Sequence, residues 1–325
     1  MNTAWQTFTQ QRLSQASSAT AEMVLSPLPP TAALAIRGGD AETFLQGQTT
    51  CDVRRITSEQ SGLGAFCNPQ GRVIATFRIL RDETGFLLLL SADLAEKVAQ
   101  RLRLYVLRSD VIIETADVAL FGLTLASAAS LQERLQPLPR TVEGVTRVHQ
   151  LHWIKMPGPG ERFLILGTTE AARSLWFDLA ENRKAAERPA TDWWLQDIHA
   201  GLPTVTAATS EEFLPQMLNL DALGGIGFDK GCYTGQEVVA RTHYRGQVKR
   251  RLYRARLAAH ATPAAGMRLL AKDKTVGQVV NAAPNDSEQE LLAVVHCDRV
   301  HRSEIHLADQ EALVLRWLEL PYTIA

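Results

Sequence analysis

The sequence predicts an α+β protein of mostly short-range strand pairings, followed by a small C-terminal β-barrel. Up to about residue 250, stretches of apolar alternation at period two are interleaved with stretches of helical spacing, so strands and helices follow one another. From Leu252 onward only short strands remain, at 254–257, 267–270, 277–281, 291–295 and 313–317. The length of 325 residues and the 46% apolar content allow two or more domains with a sizeable core that needs no covalent staples.

Residues 1–30 are rich in Ser, Thr, Gln and Ala and end in Pro27, Pro29 and Pro30, which reads as a helix or loose arm ahead of the core. Asp40 can cap a short helix through Phe44 and Leu45 that stops at Gly47, with 48–53 leading out as a loop. Residues 63–67, the turn Asn68-Pro69-Gln70-Gly71 and the alternating 73–79 form a hairpin, and 86–90 adds a neighbouring strand. Leu94, Val98, Leu102 and Val106 give helical spacing over 92–107, and 111–114 returns as a strand. A second pass follows, with strands at 118–125 and 163–166 and helices at 126–135 and 171–181. A helix beginning near Asp192 leads into the irregular stretch 211–235, a connection suited to lining a pocket. The expected division is an arm at 1–30, two α+β subdomains within 31–248, and a barrel at 249–325.

Lys plus Arg number 34 and Asp plus Glu 35, so no global field draws the chain to nucleic acid or an anionic membrane, and an anionic partner must be met by a local patch. Cys51, Cys67, Cys232 and Cys297 form no C-x-x-C pair, which argues against a zinc site, an iron–sulfur ligand set and a secreted disulfide framework. No metal site is expected: His296, Cys297, His301 and His306 cluster without close paired spacing. The longest conspicuous apolar run, 86–90, is far too short to span a bilayer, and the polar N-terminus lacks the pattern of a secretory signal. A reducing, cytoplasmic setting with no membrane partner is the expectation.

The segment most suggestive of chemistry is 228–237, Phe-Asp-Lys-Gly-Cys-Tyr-Thr-Gly-Gln-Glu. Gly231 and Gly235 permit a sharp turn or a close approach, and Gln236 to Arg241 reads as a helix start with Glu237 and Arg241 one turn apart as an ion pair. Lys230 and the helix N-terminus would both favour a thiolate at Cys232. Two readings stand for this cysteine: a reactive or ligand-contacting thiol, or a small buried apolar side chain behind a glycine turn. A second feature is the basic strip of Arg241, Arg245, Lys249, Arg250, Arg251, Arg254 and Arg256, with Tyr244 and Tyr253 interleaved and no carboxylate. It can follow a phosphate backbone, or it can be a solvated connector between domains. Of Trp193 and Trp194, one can pack inward while the other offers a ring to a flat heterocycle. Gly225-Ile226-Gly227 lacks the third glycine of a dinucleotide fingerprint, and no P-loop or nucleophile-elbow motif occurs.

The signature 230–237, with Phe44-Leu-Gln-Gly-Gln48, Asn68-Pro-Gln-Gly71, Phe213-Leu-Pro-Gln216 and Asn219-Leu-Asp-Ala-Leu-Gly-Gly225, resembles the YgfZ family, paralogues of the glycine-cleavage aminomethyltransferase or T-protein. The resemblance covers nearly the whole chain from about residue 30. It implies a T-protein-like (GcvT-like) ring of α+β subdomains around a central folate cavity. It also implies a tetrahydrofolate-binding accessory protein that supports assembly or repair of iron–sulfur enzymes, including the tRNA methylthiotransferases, with tRNA contact as a further expectation. By the same resemblance Cys232 is the signature thiol, flanked by Lys230, Gly231, Tyr233, Gly235, Gln236 and Glu237. The folate contacts fall to Trp193, Gln46, Gln48, Tyr233 and Glu237. A second pocket tryptophan of the family corresponds to Thr31, and Lys97 stands where the aminomethyltransferases carry a carboxylate, with Asp93 as the nearby substitute. Two alternatives remain: a folate-dependent methyl or aminomethyl transferase, and an RNA-binding adaptor acting through the basic strip.

Overall fold

The computed structural model describes residues 2–14, 22–126, 138–300, 302–308 and 310–324. A six-stranded sheet runs in the order Ala186–Glu187, Met23–Pro27, Ala119–Leu125, Glu161–Gly167, Leu151–Lys155, Val145–Val148, antiparallel except for the first pair. A five-stranded antiparallel sheet runs Gly62–Cys67, Val73–Asp82, Gly85–Ser91, Thr31–Arg37, Ile112–Ala116. The third sheet, seven strands between Arg250 and Leu318, is a nearly closed C-terminal barrel. The α-helices are α1 (Thr3–Leu13), α2 (Ala41–Gln48), α3 (Ala95–Val106), α4 (Thr169–Phe177), α5 (Ala190–His199) and α6 (Gln236–Arg245). None of the described helices is long and apolar enough to cross a membrane.

Strand alternation sets the layers. Leu87 and Leu89 join Ala33, Ala35 and Leu80 in packing against Leu120, Ile154, Leu164 and Leu166, so the first two sheets face each other. Phe86, Leu88 and Leu90 belong to a different cluster, with Leu45 of α2 and Val98 and Leu102 of α3. Both faces of that strand are therefore buried, which is why 86–90 is an unbroken apolar run rather than an alternating one. The far face of the six-stranded sheet, Phe121, Leu123, Phe163 and Ile165, is covered by Trp5 and Phe8 of α1 and Trp176 of α4. Leu252, Val280, Leu292 and Val294 bring the barrel onto the α2–α3 side.

The expected helix is present at Thr3–Leu13, but the described residues 2–14 and 22–30 belong to the core and are not a loose arm. Trp5 and Phe8 are both 5% exposed, the Trp5 indole N–H donates to the Leu120 carbonyl at 2.9 Å, and Met23–Pro27 is an internal strand. The polar composition hid this because two aromatic rings suffice to dock an otherwise polar helix. Helix α2 also runs through Gly47 to Gln48, and the Asp40 carboxylate accepts from the Asp110 N–H instead of capping it. The helix expected at 126–135 lies almost wholly outside the described residues. The expected strand 313–317 divides at Leu315, whose N–H donates to the Ile305 carbonyl.

Candidate functional site

Residues 228–235 form a loop that enters α6 through Gly235, whose φ is 84°. That left-handed value suits glycine, and there is no room for anything larger. A Cβ there would lie 2.5 Å from the Asn68 carbonyl oxygen and 2.8 Å from Gly71 Cα, so the turn 68–71 sits directly on the signature. Asn68 holds that turn: its Oδ1 accepts from the Gln70 and Arg72 N–H groups at 3.0 Å, and its amide donates to Glu211 at 2.7 Å.

The loop 49–51 closes the other side. Thr50, fully buried, accepts from the Ala65 N–H at 2.8 Å, donates its hydroxyl to Gly225 at 2.6 Å, and takes the Gly227 N–H on its carbonyl at 2.8 Å. Lys230 donates to the carbonyls of Thr49 and Cys51, each at 2.6 Å, with its ammonium 5.1 Å from the centroid of the Tyr233 ring. Burial pulls the Lys230 pKa down to about 8 against the opposing charges of Cys51 and Asp52, and burial pushes the buried Tyr233 phenol up. Gln46, also buried, donates to Asp52 and accepts from the Val53 N–H, both at 2.8 Å, and Gln48 accepts from the Thr234 hydroxyl at 3.4 Å. Behind the loop, Gln216 donates to the Val239 carbonyl and Asn219 to the Leu252 carbonyl, tying α6 and the first barrel strand into the same block.

The motifs noted in the sequence thus converge on one scaffold, and what it displays outward is Cys232. This thiol is exposed, as is Gly231, so the buried alternative falls. The expected cation is not on it: Lys230 turns inward to two carbonyls because a buried ammonium needs acceptors. Gly235 intervenes between the thiol and the helix start, Gln236 is half-buried, and Glu237 and Arg241 are exposed without an ion pair between them. The basic strip also divides. Arg241, Arg245, Lys249 and Arg250 are exposed, but Arg251 is 5% exposed and donates to both Asp221 oxygens at 2.7 and 2.8 Å. Strand alternation turns Arg251 to the opposite face from Arg250, while Arg254 pairs with Glu290 and Arg256 with Glu288 on the neighbouring strand. His296 accepts from the Arg250 guanidinium at 2.9 Å, and among the described residues no three His, Cys, Asp or Glu side chains converge as a metal site.

A cavity of about 800 Å³, counted with its open mouth, lies between the two facing sheets and α5. Its walls include Thr31, Thr76, Arg78, Trp193, Trp194 and Asp197. Trp193 is fixed: its ring rests directly on Gly122, where a Cβ would collide with it, and the Arg162 guanidinium carbon lies 4.3 Å from its centroid. Arg162 is fully buried and ion-paired to Asp197, and its Nε and Nη1 have no hydrogen-bond partner. Burial lowers the Arg162 pKa, with Asp197 opposing. Arg78 is likewise paired, to Glu143.

Of the residues expected at a folate site, Trp193 lines this cavity, whereas Gln46, Gln48 and Tyr233 belong to the signature block and Glu237 is on the surface. The two regions meet at Phe77, a cavity wall, which packs with Cys51 over Gly64; a Cβ on that glycine would lie 2.8 Å from the ring and 2.7 Å from the sulfur. Sequence reasoning missed Arg162 and Asp197. The parity of the strand held a signal for the first, since Arg162 shares a face with the inward-pointing Leu164 and Leu166.

No family model matches the chain. A tRNA-modifying protein YgfZ from Yersinia pseudotuberculosis serotype IB (strain PB1/+) is 34% identical over 310 residues, covering 93% of this chain and 93% of the relative. The chain belongs to the YgfZ family. Among solved structures, the glycine cleavage system aminomethyltransferase T from Bartonella henselae superposes with a TM-score of 0.70 at 15% identity, over 93% of this chain and 86% of its own. That likeness establishes the GcvT-like fold. The heterotetrameric sarcosine oxidase from Corynebacterium sp. U-96 covers 52% of this chain and 90% of its own at a TM-score of 0.38 and 15% identity, too low to bear on the fold. In this YgfZ chain the cavity and the displayed thiol are therefore features of a GcvT-like fold, and Cys232 is not among the residues that line the cavity.

Proposed function

We propose that this YgfZ-family chain binds tetrahydrofolate or a folate derivative in the cavity walled by Trp193, Trp194 and Asp197. It acts in the cytoplasm as an accessory to iron–sulfur enzymes, including those that thiomethylate tRNA. The observation that carries the reading is the pairing of two indoles with a carboxylate in one enclosed wall. A pterin is a flat ring with an edge of N–H donors, which an indole face can stack and a carboxylate can accept.

The name of the Yersinia relative, a tRNA-modifying protein, supports the tRNA side of this reading. The exposure of Cys232 supports a thiol that serves a partner protein and not the folate. The position of the other acidic group disfavours independent aminomethyl transfer: Asp93 accepts the Ala207 N–H at 2.8 Å, Lys97 pairs with Glu211, and neither lines the cavity.

The test is calorimetric titration of the purified chain with tetrahydrofolate, alongside Trp194→Ala, Trp193→Phe and Cys232→Ala. Wild type and Cys232→Ala bind equally, Trp194→Ala binds at least tenfold more weakly, and Trp193→Phe keeps the fold while weakening binding. Absence of binding to the wild type refutes the folate reading. Full restoration of iron–sulfur enzyme activity in a deletion strain by Cys232→Ala refutes the role of the thiol.

A further inference from the structure

We propose that the exposed face of α6, with Phe228 packed beneath it, is a docking surface for single-stranded RNA. Three rings gather there. Phe228 and His243 are stacked at 3.7 Å between centroids with 15° between planes, and Tyr244 meets His243 edge-on at 4.8 Å. His243 and Tyr244 are exposed, Tyr244 at 64%, although both could have been covered if they served the core. Arg241 and Arg245 are carried on the same helix, and Lys249 and Arg250 follow it in the chain; all four are exposed, and none forms an ion pair among the described residues. Exposed carboxylates nearby are Asp229, Glu237 and Asp298, the last paired with Arg299.

The layout suits one class of partner. Arg241, Tyr244 and Arg245 share a helical face, with the two arginine Cα atoms about 6 Å apart along the axis. Cations that track a backbone, with aromatic faces between them, are what an unpaired strand requires, since only unstacked bases offer their faces. A duplex hides those faces, and an acidic peptide would use the charges and leave the rings idle. The cations of the strip that are buried or paired, Arg251, Arg254 and Arg256, are excluded from the surface, so it is smaller and better defined than the sequence strip. Phe228 opens the signature loop and Gly235 ends it at the start of α6, so Cys232 is carried on a loop anchored to this helix at both ends. The cavity lies elsewhere, and the proposal stands without the folate reading.

The experiment is a fluorescence-anisotropy titration of the full chain with a labelled mixed-sequence oligoribonucleotide of about 12 nucleotides, within single-strand site sizes, repeated across salt concentrations. The same-length RNA duplex and heparin serve as comparisons. Tyr244→Ala, His243→Ala, Arg245→Gln and, as a control on the barrel hairpin, Lys274→Gln are all exposed substitutions. The single strand binds best. Tyr244→Ala weakens it about tenfold without changing the salt slope, Arg245→Gln lowers the slope by about 0.7, and Lys274→Gln changes nothing. No binding at low salt overturns the proposal. So does heparin or duplex binding as tight as the single strand with no effect of Tyr244→Ala, which would mark a general polyanion surface.

Discussion

Gly235→Ala tests whether the turn 68–71 positions the signature. At φ of 84° an alanine carries a left-handed penalty of about 1–2 kcal/mol. Its Cβ would also fall 2.5 Å from the Asn68 oxygen and 2.8 Å from Gly71 Cα, backbone atoms that cannot rotate aside, adding about 1–2 kcal/mol of overpacking. The expected loss is about 2–4 kcal/mol, a large part of a typical stability of about 5–15 kcal/mol. Gly231→Ala is the internal control, because its φ is ordinary and a Cβ there meets no atom within 4 Å; it should cost less than about 0.5 kcal/mol. Urea unfolding of the three proteins measures both values, and the rate of Cys232 labelling by a disulfide reagent reports the loop. Equal midpoints for Gly235→Ala and Gly231→Ala, with unchanged labelling, would refute the idea that the two motifs lock together.

Three further outcomes follow from the same geometry. Lys230 has a folded pKa of about 8 against 10.5 when unperturbed, so the unfolded chain binds more protons between those values and stability rises with pH across that window, by at most about 1.4 kcal/mol per unit; Lys230→Met flattens this slope in unfolding curves taken from pH 7 to 10. Arg251→Ala strands the Asp221 carboxylate beside the barrel and should cost about 3–5 kcal/mol by denaturation, whereas Arg245→Gln on the exposed helix should leave the midpoint unchanged. Under native conditions a thiol reagent should modify Cys232 quickly, while Cys51 and Cys67, buried and with raised pKa values, react only on unfolding.

Periodicity made the β-hairpin 63–79, the helix of α3 and four barrel strands legible, because in each the pattern of burial is one-sided or the turn residues are explicit. It could not reveal Met23–Pro27, which lies amid prolines and reads as part of a polar lead-in until its partner at 119–125 is known. The signature was legible as a motif, but the direction of Lys230 was not: spacing of two residues says nothing about whether a side chain reaches the thiol or the carbonyls behind it. The basic strip was over-read for the same reason. Runs of charge are linear in sequence, whereas a strand sends alternate members to opposite faces, and Arg251 was sent inward to Asp221. Arg162 and Asp197 escaped because they pair across 35 residues, between a strand and a helix.

The separation of Cys232 from the cavity bears on what kind of activity the chain can support. If the thiol attacked a bound ligand, it would have to line the pocket, yet Cys232 is exposed and is not among the cavity's walls. The loop that carries Cys232 is instead fastened on its inner side by Lys230, Tyr233 and Thr50, and on its flanks by Gly235 and Phe228, so its outward geometry is set by contacts within the chain. A rigidly presented exposed thiol suits encounter with another macromolecule, since ordering the loop on binding would otherwise oppose association. The cavity, by contrast, is built from side chains fixed by buried charge, with Arg162 beneath Trp193 and against Asp197, which suits holding a small molecule in one orientation. Phe77 lines the cavity and packs with Cys51 over Gly64, so it is one route by which a change in the cavity can reach the loop of Cys232. Phe77→Leu, which keeps an apolar wall but removes the ring, should therefore alter Cys232 labelling if ligand and thiol are coupled; identical rates with and without tetrahydrofolate in both proteins would mean that they work independently.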